Sequence, residues 1–128
     1  MNEEVKLKRI LVIDDDEKVG EMLQAMLENH GFQVEYVRDG KKGLEIIKGT
    51  KPDLVLMDLL MPGIHGFDLC NMIKKNEEIG HIPVVAVSAV YKQAVAGAEI
   101  KAAGIDAFVE KPINFARLLE KVENLLPG

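Results

Sequence analysis

Three acids in a row, Asp14, Asp15 and Asp16, follow directly on the aliphatic run Ile10–Ile13. A fourth, Asp58, follows a second such run, LVLM at 54–57, while Ser88 closes VVAVS and Lys111 follows DAFVE. Two carboxylates at about 4 Å repel by about 4 kcal/mol at an effective dielectric of 20. Three drawn together either keep a proton or hold a cation. Magnesium suits such a set, since it keeps several waters and binds through one or two carboxylates plus phosphate oxygens. A hydroxyl and an ammonium beside the acids would complete what a phosphoryl group needs, namely positioning and charge neutralisation. A carboxylate so flanked can itself attack phosphorus, giving an aspartyl-phosphate. Each residue alone has a plainer explanation. DDDE also reads as a helix N-cap in an acidic turn, Asp58 and Ser88 as turn formers, and Lys111 as a solvated charge. Asp16 is assigned to the cap.

The chemistry exists only if the fold gathers these positions. RILVI (9–13), DLVLM (53–57), PVVAVSA (83–89) and DAFV (106–109) are apolar without alternation, as strands covered on both faces are. QVEYV (33–37) alternates, which suits a sheet edge. Helical spacing runs over Lys18–Asn29 and, less cleanly, over Gly43–Ile47, Phe67–Lys75, Ala94–Ala103 and Phe115–Leu126. Asp16, Asp39 and Asn114 are placed as N-caps, and Gly31 and Gly104 where a left-handed residue closes a helix. Pro52 and Pro83 open strands, where a missing N–H matters least. Five β-α units predict an α/β fold: a single-domain, flavodoxin-like, doubly wound parallel sheet of five strands in the order 2-1-3-4-5, with five helices. In that order the first and third strands are neighbours, and ligands bind beyond their carboxyl ends. Asp58, 43 and 44 positions after Asp15 and Asp14, should therefore share one crevice with them.

The totals narrow the function classes. A chain of 128 residues with 48% hydrophobic content fits one domain spanning 1–128. The net charge of −5 and an aromatic content of 5% give neither a phosphate-tracking groove nor a base-stacking surface, so no direct nucleic acid binding is expected. The apolar runs are far short of a membrane span, and MNEEVKLKR lacks a signal-peptide h-region. With one cysteine, Cys70, no disulfide framework is expected. The expectation is a cytoplasmic domain.

With Asp14-Asp15, DLLMPG from Asp58, Ser88-Ala89 and Lys111-Pro112 all at strand ends in this order, the sequence resembles the receiver domain of two-component response regulators, from about Lys8 to Leu126. The resemblance implies that Asp58 is the phosphoacceptor. It implies Mg2+ held directly by Asp15 and Asp58, by Asp14 mostly through water, and by the carbonyl of Leu60. Lys111 would pair with the phosphoryl group, across a cis bond to Pro112. Ser88 would move toward the new phosphoryl oxygens, and Phe108 would turn inward as the serine vacates space; simple core packing explains Phe108 equally. The donor would be a histidine kinase or phosphotransfer protein. The fourth helix, around QAVAGAEIKAAG, with the fifth strand and fifth helix would present the state to a downstream protein target or output domain. Such a chain is a signalling switch and not an enzyme, catalysing only its own phosphorylation and dephosphorylation. Leu60 and Val90 are apolar where the family varies, which predicts a long-lived phosphoryl group.

Two other readings stand beside this one. The chain could be a receiver excised from a larger multidomain regulator or hybrid kinase. It could also be an aspartyl-phosphate phosphohydrolase, whose D-x-D motif Asp14 and Asp16 satisfy formally, although 128 residues leave no room for a cap domain. His30, His65 and His81 are read as surface residues, Cys70 as a buried small hydrophobe and the methionines as core filler.

Overall fold

The computed structural model describes residues 6–61, 65–89 and 103–126. The elements run β1 (Arg9–Ile13), α1 (Glu17–Asn29), β2 (Gln33–Val37), α2 (Gly40–Thr50), β3 (Leu54–Met57), α3 (Gly66–Lys75), β4 (Val84–Ser88), β5 (Ala107–Glu110) and α4 (Phe115–Leu125). All neighbouring strands are parallel and lie in the order β2-β1-β3-β4-β5. The order and the class are those expected. Four helices are present among the described residues against the five expected, because the helix expected at Ala94–Ala103 falls, but for Ala103, outside them. None of the described helices is long and apolar enough to cross a membrane.

Period-two alternation divides the interior into two layers. Leu11 and Ile13 face α2 and α3, packing with Leu44, Ile47, Leu69 and Ile73. Ile10 and Val12 face the other way, against Leu23 and Leu27 of α1 and Leu118 and Val122 of α4. Strands buried on both faces must be apolar along their buried length, and Ile10–Ile13 of β1, all of β3 and Val84–Val87 of β4 are. β5 departs from that expectation: Ala107 and Phe108 are only half-buried and Glu110 is exposed, as suits an edge strand. The methionines also depart from it. Met57 and Met61 are buried, but Met22 and Met72 are 41% and 47% exposed.

The helix boundaries follow local chemistry. Asp16 accepts from the N–H groups of Lys18 and Val19, Asp39 from Lys41 and Asn114 from Arg117, each satisfying donors that the first turn leaves open. Gly31 and Gly104 adopt φ of 91° and 80°, the left-handed region in which a side chain is strained.

Candidate functional site at the carboxyl ends of the strands

The β1–β3 ladder brings the acids together. Asp58 N–H donates to the carbonyl of Ile13 at 2.9 Å, so Asp58 leaves β3 beside Asp14 leaving β1. Asp14 is 1% exposed and Asp58 6%. Asp14, Asp15 and Asp58 each offer a carboxylate oxygen within 4.8 Å of the others. From the far side of the sheet, Lys111 places Nζ 3.1 Å from Asp14 Oδ2 and 2.9 Å from Asp58 Oδ2. Its own N–H donates to the carbonyl of Ser88 at 3.0 Å, which fixes the lysine's backbone to the end of β4. The Lys111–Pro112 bond is cis.

The two buried carboxylates are held alike. Asp14 Oδ1 accepts from the N–H of Asp16 and Asp58 Oδ1 from the N–H of Leu60, both at 2.9 Å, each a turn closed by the side chain two residues back. Their Oδ2 atoms are left to the lysine. Burial pushes the Asp14 carboxyl above its ordinary pKa of 3.8, against the Asp16 N–H and the Lys111 charge, which favour the ionised form. Burial disfavours charged Lys111 as well, yet the hydrogen bond to Asp58 and the charge of Asp14 outweigh it and hold the lysine above its ordinary 10.5.

Three carboxylates against one ammonium leave two negative charges uncompensated, the complement of one divalent cation. The oxygen separations reach no further than 4.8 Å, against about 4.2 Å across an octahedral Mg2+ with ligands at ~2.1 Å. The donor set is all oxygen. It fits a hard divalent ion.

Asp16 lies outside the cluster as an exposed cap, so the D-x-D pair required by the hydrolase reading is not assembled. Ser88 is fully buried at the end of β4. Leu60, two residues after Asp58, is 55% exposed. Phe108 is half-buried opposite Ala86 and lines a cavity of about 290 Å3 with Glu110, Arg117 and Lys121. His30, His65 and His81 are exposed; His30 and His81 lie toward the amino ends of the strands, while His65 precedes Gly66, whose N–H donates to the carbonyl of Leu59 at 3.0 Å, next to Asp58. Cys70 is buried on α3, where its thiol donates to the carbonyl of Ala103 and burial pushes its pKa up to about 11. Val90 and most of the QAVAGAEIKAAG helix lie outside the described residues.

A group that sequence reasoning missed surrounds the acid loop from β2. Tyr36 Oη donates to the carbonyl of Asp14 at 2.8 Å, and Val37 accepts from the Asp14 N–H at 3.1 Å. Arg38 donates to the carbonyl of Asp15 at 3.3 Å. The available signal was a glycine, Gly20, inside a helical run, since an isolated glycine there often marks close packing.

Comparison with known proteins agrees with this geometry. The family model for the response regulator receiver domain matches residues 10–123. The polar-differentiation response regulator DivK of Brucella anthropi is 31% identical over 121 residues, covering 93% of this chain and 96% of that protein. The signal receiver domain of a signal transduction histidine kinase from Syntrophus aciditrophicus superposes with a TM-score of 0.86 at 31% identity, over 93% of this chain and 89% of that one. The response regulator TrrA of Thermotoga maritima, solved in complex with Mg2+ and BeF, gives a TM-score of 0.80 at 30% identity, over 94% and 100%.

Proposed function

The chain belongs to the response regulator receiver domain family, and from that premise we propose that it is a Mg2+-dependent phosphorylation switch with Asp58 as the phosphoacceptor. The observation that carries the reading is the bridge of Lys111 to Asp14 and Asp58, with Asp15 completing the acid cluster. A histidine kinase or phosphotransfer protein presents a phosphohistidine, an Asp58 oxygen attacks phosphorus, and the P–N bond breaks with its electron pair leaving on the imidazole. Asp58 is aimed for this by its Leu60 N–H bond and its ladder bond to Ile13. Lys111, already at the Asp58 carboxylate, neutralises charge that develops on the transferring group. Asp14, Asp15, Asp58 and the Leu60 carbonyl are the residues that would hold Mg2+. When bound, the ion supplies charge neutralisation for the acids and the phosphoryl oxygens.

Ser88 and Phe108 carry the switch in this reading. The Ser88 hydroxyl moves toward the phosphoryl oxygens, and half-buried Phe108 turns into the space it leaves. The state is then read by a downstream protein target or output domain. The chain catalyses only its own phosphorylation and dephosphorylation, in the cytoplasm, as one domain over residues 1–128. A second reading, a receiver belonging to a larger regulator or hybrid kinase, draws support from the likeness to the receiver domain of the Syntrophus histidine kinase.

The test is intact-mass measurement after incubation with acetyl phosphate. One added phosphoryl group is expected with MgCl2, and none with chelator or in Asp58→Asn. Retention of the adduct by Asp58→Asn refutes the assignment.

A further inference from the structure

We propose that Tyr36 is a positioning residue for the metal-holding acids, acting through its hydroxyl on the backbone of Asp14, with Gly20 making the space it needs. The proposal rests on the reading of Asp14, Asp15 and Asp58 as a Mg2+ site.

Asp14 and Asp15 sit on the first residues after β1, where the ladder to β3 has ended. Two adjacent side chains leave a backbone in different directions, so the orientation of the peptide between them decides whether both carboxylates reach one ion. The carbonyl of that peptide belongs to Asp14, and it accepts from Tyr36 Oη at 2.8 Å. The flanking groups are tied to the end of β2 and the residue after it: Asp14 N–H to the carbonyl of Val37 and the Asp15 carbonyl to the Arg38 side chain. The end of an edge strand and the residue after it thus fix three backbone groups of the acid loop.

Reaching that carbonyl requires the Tyr36 ring to cross α1. A Cβ at position 20 would stand 2.1 Å from the ring, so Gly20 is the only residue type compatible with the placement as it stands. Glycine in a helix interior costs about 1 kcal/mol relative to alanine. The ring is half-buried, and the hydroxyl reaches the polar end of the sheet, a combination to which tyrosine is suited.

The test compares Tyr36→Phe, which keeps the ring and loses only the hydroxyl, with Gln24→Met. Gln24 Nε2 donates to the carbonyl of Val34 at 3.2 Å, so the second variant removes a similar bond between α1 and β2 away from the acids. Mg2+ dissociation constants are measured by amide NMR titration with MgCl2 at constant ionic strength, with thermal unfolding in chelator recorded for both. Tyr36→Phe is expected to weaken Mg2+ binding about fivefold, equivalent to ~1 kcal/mol for one hydrogen bond, and Gln24→Met to leave it within about twofold of the parent. Saturable parent binding with Tyr36→Phe unchanged overturns the inference and spares the site. Equal weakening in both variants also overturns it, because the effect then follows stability. No saturable binding by the parent overturns the Mg2+ site and the inference together.

Discussion

Replacing Asp14 by asparagine should stabilise the metal-free protein and destroy most of its gain from Mg2+. At 4.8 Å and an effective dielectric of 20, the repulsion between two carboxylates is about 3.5 kcal/mol, and Asp14 takes part in two such pairs. Its attraction to Lys111 at 3.1 Å is about 5 kcal/mol on the same footing. Removing the charge therefore favours the folded state by about 2 kcal/mol, reduced toward ~1 kcal/mol because Asp15 is partly exposed and screened. The lysine is not orphaned, since Asp58 remains 2.9 Å away, so the usual penalty for breaking a buried pair does not apply. An amide oxygen can still accept from Asp16 N–H. For a chain of this size the midpoint should rise by roughly 3–7 °C in chelator. With MgCl2 at a hundredfold excess over its dissociation constant the parent gains about 2.7 kcal/mol, the variant far less, and the ranking closes or reverses. The pH dependence has a definite sign. The folded-state pKa of Asp14 is raised above 3.8, so its contribution to parent stability is fully present below 3.8 and is lost as pH rises through the folded value. The gap between the two proteins should widen over that rise and then stay level while Lys111, held above 10.5, remains charged. Thermal unfolding followed by far-ultraviolet circular dichroism measures all of this. A variant less stable than the parent in chelator at neutral pH refutes the charge-balance argument.

Gly20→Ala should lower the unfolding midpoint. Helix propensity alone gains about 1 kcal/mol, but the new methyl at 2.1 Å from the Tyr36 ring demands repacking that typically costs 1–3 kcal/mol; a raised midpoint in chelator would refute the contact. Cys70 should be inert to a thiol-reactive dye in the folded protein. With its pKa pushed from 9.0 up to about 11 it carries roughly a hundredth of the ordinary thiolate, and rapid labelling without denaturant would count against its burial. Val90→Glu should shorten the lifetime of the phosphorylated chain, followed by intact mass after removal of the phosphodonor. Loss no faster than in the parent would end the argument that apolar neighbours protect the acyl phosphate.

The sequence made the sheet order and the acid cluster legible because both depend on pattern at low resolution: apolar runs, their spacing and the residue type at each run's end. β1 and β2 begin and end where expected. β3 and β5 each start one residue later, and the reason is common to both. Asp53 and Asp106 use their carboxylates to accept from the N–H of Arg9 and Val84, at 2.7 and 2.8 Å, while their own N–H groups donate back to those residues' carbonyls. They cap the neighbouring strand and do not join the ladder, a distinction that propensity cannot make. Tyr36 was illegible for another reason. Alternation in QVEYV assigns a face to the residue, but the identity of the carbonyl its hydroxyl meets is decided by the packing of α1 over β2. Met22 and Met72 show the same limit, since helical spacing marks a stripe and leaves open how far the core extends beneath it.

Aspartates stand at both ends of this sheet, and only one end can do the proposed chemistry. At the amino ends, Asp53 and Asp106 are half-buried and exposed, and each carboxylate is matched by backbone N–H; Asp106 also meets Lys74 at 2.8 Å. Asp53 is hydrogen-bonded and open to solvent screening, and Asp106 is paired with a lysine, so both tie strand ends together without building up buried charge. At the carboxyl ends, Asp14 and Asp58 are buried, Asp15 lies beside them, and one lysine serves the set. Residue type and strand-end position are the same in both places. What differs is that burial with incomplete neutralisation leaves a demand for positive charge, which a divalent ion would meet in the proposed chemistry. The folded state carries that imbalance because the apolar layers on either side of β1 and β3 are large enough to outweigh it.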